Sequence, residues 1–242
     1  MNYISLGYFC SVALELEKIG LRSHSSPFDW LISDFEGVLL AIQNHFSDFL
    51  NETLLAQCTS NRAHYKNEKY NFKFFHDFNE YDTLQTQLPS VQEKYERRIQ
   101  RFYKSISEPT VFIRYISDEQ KTDGISKELL WIEKNYPFII QTLKSFNEHN
   151  EIIFIANDGV SSEKIQIYNV SKDENDSVAR NPFSKNTALA NYFNNISTPD
   201  KQMNIARYVN KQKGKKRAAF KRKICSFYKK IFLKEYIHSK QY

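Results

Sequence analysis

A lone cysteine follows a glycine turn near the start of the chain. Tyr3-Ile4-Ser5-Leu6 is a short apolar run, Gly7 breaks it, and Cys10 opens an amphipathic stretch that ends at Gly20. Strand, glycine turn and helix in that order bring a side chain to the carboxyl end of a strand, where open α/β sheets build their sites. A cysteine at a helix start feels the positive end of the helix dipole, which favours the thiolate, the attacking form. The competing role is a small buried hydrophobe. A nucleophilic cysteine needs a base. Among His24, His45, His64, His76, His149 and His238, His76 stands out: Asp77 follows it and aromatic residues flank it, which implies a partly buried ring. His24, in one block with Arg22 and Asp29, is the runner-up. A triad also needs an orienting group. Asp158 and Asn157 stand just past the apolar run 152–156 and are the first candidates; Asp29, between Phe28 and Trp30, is the third, with a turn cap as its structural alternative.

The arginines carry a second chemistry. Arg22, Arg97, Arg98, Arg101 and Arg114 are far apart in sequence but can converge, and guanidinium groups hold phosphate or carboxylate bidentately. Arg114 lies in an otherwise apolar strand, so it must be near the strand end, paired, or facing a polar pocket. Arg97 and Arg101 share a helical face at i, i+4. Such a cluster beside Gly7 and a helix start, lined further by Asp29 and Trp30, would take an anionic small molecule or glycoconjugate. Gly7 alone is no dinucleotide or P-loop fingerprint, and no cofactor is expected. No Cys-x-x-Cys, His-x-x-x-His or Asp-rich loop occurs, so no metal is expected either.

The charge is uneven. Over residues 211–242 twelve Lys or Arg face one acid, Glu235, while the whole chain carries only +6, so the body is mildly acidic and the tail strongly basic. Phe220, Ile224, Phe227 and Ile231 fall on one helical stripe, and Lys221, Arg222, Lys223 and Lys230 surround it. A basic helix with bulky apolar residues lies on an anionic membrane surface. Nucleic acid would meet the same charges but has no use for the apolar stripe, so a membrane partner is expected instead. The expected division is a single α/β body over 1–210 and a basic amphipathic tail over 211–242.

The elements that must position these residues are legible from periodicity. Residues 2–6 read as a buried strand and 10–20 as a helix; 34–50, 88–106 and 127–147 read as further helices. Residues 111–116 and 152–156 are strong apolar strands, 165–168 a plausible edge strand, 171–186 a loop, and 187–210 one or two short helices. Tyr70, Phe72 and Phe74 alternate as a strand does. Strand, helix and strand over 110–157 form a crossover unit with parallel strands. The expected fold is therefore α/β: a largely parallel sheet flanked by helices in a three-layer sandwich, with a basic C-terminal helix. Hydrophobic residues at 41% and aromatics at 15% of 242 residues supply an ample core, and six Gly and six Pro argue against a large barrel. Three widely spaced cysteines fit a reducing compartment. No secretory signal and no apolar run near the ~18 residues of a membrane span is visible. A cytoplasmic location, peripheral to the inner face of the cell membrane, is expected.

Several of these blocks carry a family resemblance. Ser5-Leu6-Gly7, Cys10, Leu21-Arg22 and Ser26-Pro27-Phe28-Asp29-Trp30-Leu31-Ile32-Ser33 resemble the opening of a bacterial family named putative papain-like cysteine peptidases. The resemblance continues through Phe46-Ser47-Asp48-Phe49-Leu50, Phe75-His76-Asp77-Phe78, Lys94-Tyr95-Glu96-Arg97-Arg98-Ile99 with Arg101, and Phe112-Ile113-Arg114-Tyr115. It implies Cys10 as nucleophile and His76 as base, and a setting among genes for bacterial surface polysaccharides. A papain fold pairs a helical lobe with an antiparallel barrel-like sheet; the parallel reading of 110–157 is physically stronger, so the resemblance bears on the Cys and His roles alone. The expected function is a cysteine-dependent hydrolase or acyl or peptidyl transferase of glycoconjugate assembly. The alternatives are a phosphate- or nucleotide-sugar-binding transferase using the arginines, and a non-catalytic adaptor docked through the tail.

Overall fold

The computed structural model describes residues 1–174 and 176–218. Its centre is a four-stranded sheet in the order β1 (Asn2–Ser5), β6 (Thr110–Tyr115), β9 (Glu151–Asn157), β10 (Ile167–Val170). All three pairings are parallel, with Ile4 opposite Phe112, Ile113 opposite Ile153 and Tyr168 opposite Ile155. Every residue of β6 is buried, as an apolar strand covered on both faces must be. The edge strand begins two residues later than the expected 165–168.

Six helices among the described residues flank the sheets: α1 (Ser11–Lys18), α2 (Phe35–Gln43), α3 (Leu84–Ile106), α4 (Lys127–Lys144), α5 (Thr187–Asn195) and α6 over 201–218. One apolar core joins α1 and α5 to one sheet face through Val12, Leu16, Leu189 and Phe193 against Tyr3, Val111, Ile113 and Ile155. A larger core covers the other face, where α2, α3 and α4 bring Phe35, Phe102 and Ile132 against Ile4, Phe112 and Phe154. The expected α/β sandwich is the observed one. Helix starts follow their caps: Thr83 accepts from the Thr86 amide at 3.3 Å to open α3, and Ser126 accepts from the Leu129 amide at 3.1 Å to open α4.

Two segments depart from the sequence reading. The expected helix over 34–50 ends at Gln43, because His45, Phe46 and Asp48 take positive φ; the chain then wraps and drives Phe46, Phe49 and Leu50 into the larger core. Residues 31–74 also build a second sheet, antiparallel in the order β2 (Leu31–Ile32), β5 (Phe72–Phe74), β4 (Tyr65–Asn67), β3 (Leu55–Gln57). Its strands have two or three residues each, too few for a period of two to show. Gly37 lets α2 lie on this region: a Cβ there would stand 2.0 Å from the Tyr70 carbonyl oxygen. A small hairpin, β7 (Lys121–Thr122) and β8 (Ile125–Ser126), turns at Asp123-Gly124, both at positive φ.

Helix α6 runs unbroken through position 210, where the body was expected to end. It is tied to α1 by Lys211 to Glu17 at 2.6 Å and to the turn after α1 by the Asn204 side chain, which donates to the Gly20 carbonyl at 3.1 Å. The expected membrane stripe, Phe220 to Ile231, lies outside the described residues. Among the described residues no helix is long and apolar enough to cross a membrane.

Candidate functional site

The turn after β1 is built from two residues in the left-handed region, Gly7 at φ 81° and Tyr8 at φ 61°. Ser33 holds it: its hydroxyl accepts from the Tyr8 amide at 3.2 Å, and a Cβ on Gly7 would stand 2.7 Å from that same oxygen. The turn delivers Cys10 to the N-cap of α1, half-buried, with its side chain making no cap hydrogen bond. The first amide of this turn with a backbone acceptor is that of Leu14, which donates to the Cys10 carbonyl at 2.9 Å. The amides of Ser11, Val12 and Ala13 find no acceptor among the described residues. Neither does the buried Ser11 hydroxyl.

The electrostatics of Cys10 correct the sequence reading. Burial pushes its thiol up, opposed by a backbone hydrogen bond, and no cationic group among the described residues adds to that pull. A low thiol pKa expected from the helix start alone is therefore not what this environment produces. His76 does not lie in a shielded pocket but is exposed, its ring edge-on to Trp30 with centroids 6.2 Å apart. Among the described residues no hydrogen bond joins Cys10 to His76 or to any other histidine. The expected orienters are also committed elsewhere or exposed. The Asn157 side chain accepts from the Tyr115 hydroxyl at 2.6 Å and donates to Asp118 at 3.1 Å and to the Ser177 carbonyl at 2.9 Å. Asp158 is exposed. A hydrogen-bonded Cys–His–Asp/Asn triad of the expected residues is absent from the described residues.

The arginines divide. Arg22 binds Glu17 at 2.7 Å and pairs with Asp29, its guanidinium carbon 5.9 Å from the Trp30 ring centre. Asp29 is fully buried, accepts from the Ser26 amide at 2.9 Å, and keeps one oxygen without a partner. Burial pushes its carboxyl up, against the pull of Arg22 and, more weakly, Arg98. Arg98 lies 4.9 Å from the Tyr95 ring, with one buried nitrogen unpartnered. Tyr95 in turn donates to Asp77 at 3.0 Å, and Lys94 binds the other oxygen of Asp77 at 2.5 Å. The Pro-Phe-Asp-Trp, His-Asp and Lys-Tyr-Glu-Arg-Arg blocks thus meet around Asp29, through side-chain pairing and not through an open pocket.

Arg97 and Arg101 stay outside this meeting. Both are exposed; Arg97 pairs with Glu93 at 2.5 Å and Arg101 donates to the Arg97 carbonyl. Arg114 is fully buried, and all five of its N–H groups have acceptors. Nε and one terminal nitrogen bind Glu128 at 2.8 and 2.7 Å, and the rest reach the Leu6 carbonyl, the Ser33 hydroxyl and the Ser33 carbonyl. Nothing on it is left for an anion. It holds the underside of the Gly7–Tyr8 turn, and its carbon lies 5.9 Å from the Tyr8 ring centre.

Two features escaped the sequence reading. Cys58 and His64 close the hairpin loop between β3 and β4, where the Cys58 amide donates to the His64 carbonyl at 3.0 Å while the His64 ring bonds the Thr59 hydroxyl at 2.9 Å and stacks on Phe75. The Cys58 thiol is pushed up by burial and pulled down, less strongly, by Lys73 and Lys66. A cleft of about 450 Å³ also opens past the carboxyl ends of β1 and β6, between the central sheet and the second sheet, with Tyr8, Lys66, Lys73, Lys127 and Trp131 among its walls. No short-range pattern marks either, since each joins residues from separate elements or across a hairpin. Among the described residues no cluster of three or more His, Cys, Asp or Glu could hold a metal ion.

Known proteins frame this geometry. A family model described as "Putative papain-like cysteine peptidase (DUF1796)" matches residues 1–136. An uncharacterised protein of Acanthamoeba polyphaga mimivirus is 30% identical over 178 residues, which is 64% of this chain and 77% of that relative. No solved structure matches. Neither the family description nor this viral relative carries the bacterial surface-polysaccharide setting.

Proposed function

The chain belongs to the family of putative papain-like cysteine peptidases, and from that membership we propose that it is a cysteine-dependent hydrolase or acyl transferase with Cys10 as nucleophile. The observation that carries the proposal is the start of α1: a thiol at the N-cap beside three amides with no acceptor among the described residues. The thiolate adds to an acyl carbonyl carbon. The developing oxyanion is received by the Ser11 and Val12 amides, as in any oxyanion hole. The leaving group departs with a proton from solvent, where the thiol proton went, and water or an acceptor then cleaves the thioester. With no described histidine bonded to the thiol, its deprotonation limits the rate.

Acylation by p-nitrophenyl acetate, mapped by mass spectrometry, tests this. The acetyl group is expected on Cys10. Because burial raises the thiol, the rate should keep climbing with pH beyond the free-thiol value of about 8.5. His76→Ala should leave that profile unchanged. Acetyl found on no cysteine ends the cysteine reading. A profile that plateaus near neutrality and loses that plateau in His76→Ala would restore His76 as the base.

Cys58 supports a second reading of the same chemistry, because its thiol, unlike that of Cys10, lies within the field of two described lysines, Lys73 and Lys66. Acetyl on Cys58 with none on Cys10 would favour it. Acetyl on Cys10 that persists in Cys58→Ser would exclude it.

A place on the inner face of the membrane remains part of the proposal, resting on the composition of the tail. The full chain is expected to sediment with phosphatidylserine-containing vesicles at low salt, and a chain ending at residue 218 to stay in the supernatant. Equal sedimentation of the two removes the tail from the account.

A further inference from the structure

We propose that the cleft past the carboxyl ends of β1 and β6 binds a phosphate monoester that carries hydroxyl groups, such as a phosphorylated sugar or polyol. The inference goes beyond the cysteine reading and stands without it. Lys66 and Lys73 are directly opposite in the β4–β5 pair, and both line the cleft. Like charges placed opposite each other across strands are destabilising. Lys127 lines the same cleft as the first residue of α4, where the positive end of the helix dipole opposes a cation. None of the three makes an ion pair among the described residues, although Asp34, Glu36 and Glu119 share the cleft walls. Three cations held in unfavourable places without carboxylate partners match a doubly charged phosphate, which lysines bind as point charges.

Tyr8, 3% exposed, lines the cleft as well. The remaining walls fit the rest of such a molecule. Glu36, Glu119 and Gln120 offer acceptors to hydroxyl groups, and Trp131, Phe35 and Ile32 offer an apolar surface to a carbon skeleton. Glu128, also in the wall, is already engaged by Arg114, and Asp34 accepts from Asn71. The cleft sits where open parallel sheets place their ligands.

Calorimetric titration of the full-length Cys10→Ser chain decides the matter apart from any thiol chemistry. The probes are glucose 6-phosphate, inorganic phosphate and glucose. Glucose 6-phosphate is expected to bind at least ten times more tightly than phosphate, and glucose not at all. The double variant Lys66→Gln with Lys73→Gln should lose at least tenfold in affinity for glucose 6-phosphate, and Lys127→Gln should lose several-fold. Without ligand, Lys73→Gln should raise the urea midpoint, because it removes the opposed like charge; a structural lysine would lower it. No binding of either phosphate, or binding unchanged in the double variant, overturns the site. Phosphate bound as tightly as glucose 6-phosphate overturns the hydroxylated-ester assignment. A lowered midpoint in Lys73→Gln overturns the reading of the lysines as held for a ligand.

Discussion

Replacing Arg114 by alanine is expected to cost about 3–5 kcal/mol of unfolding free energy, the range seen when one partner of a buried ion pair is removed. Arg114 is fully buried and gives all five donors to Glu128, Leu6 and Ser33. Its loss leaves the buried Glu128 carboxylate without its cation, and burial already pushes that carboxyl up. Two backbone carbonyls and the Ser33 hydroxyl lose a donor as well. The effect should reach the site, because Ser33 also holds the Tyr8 amide that shapes the turn before Cys10. Arg114→Met combined with Glu128→Leu should recover much of the loss, since two apolar chains of similar volume leave no unpaired charge. Urea denaturation measures both. A single variant within about 0.5 kcal/mol of the parent would mean that Glu128 finds water or another cation in place of Arg114.

Phe28→Ala should cost about as much, roughly 3–5 kcal/mol, by cavity formation. The ring is fully buried and meets Phe46, Phe72 and Phe102 at centroid distances of 5.3, 6.0 and 5.6 Å. Those partners come from the wrapped segment after α2, from β5 and from α3, so one ring ties three parts of the larger core together. Trp30, two residues on, is only half-buried, and its alanine variant should cost less, about 1–2 kcal/mol. The contrast would divide the Pro-Phe-Asp-Trp block into a buried anchor and an outward face. Equal losses at both positions would show that Trp30 is as firmly packed as Phe28.

The blocks singled out in sequence are brought together, but for a different reason than expected. Arg22, Asp29 and Arg98 meet across more than seventy residues of chain, and Asp77 joins through Tyr95. Sequence spacing could say that an arginine within β6 must be paired; it could not say that Glu128, in the first turn of α4, is the partner. It could say that Cys10 starts a helix. It could not say that no described cation or histidine touches the thiol, because the ring of His76 leans on Trp30 at an exposed edge.

Local chemistry alone was enough for the parallel strands, whose apolar runs are buried on both faces, and for α3 and α4, whose apolar periodicity is long. It also sufficed for the glycine turn, since Gly7 at φ 81° is the kind of position only a glycine takes freely. Tertiary structure alone decided the second sheet, whose two- and three-residue strands are stabilised by pairing and not by pattern. It decided the early end of α2, where burying Phe46, Phe49 and Leu50 outweighs continuing the helix. And it decided which cations find acid partners among the described residues. Arg114 has every donor occupied by groups distant in sequence, whereas Lys66 and Lys73 are set side by side by a strand register that no local interaction specifies.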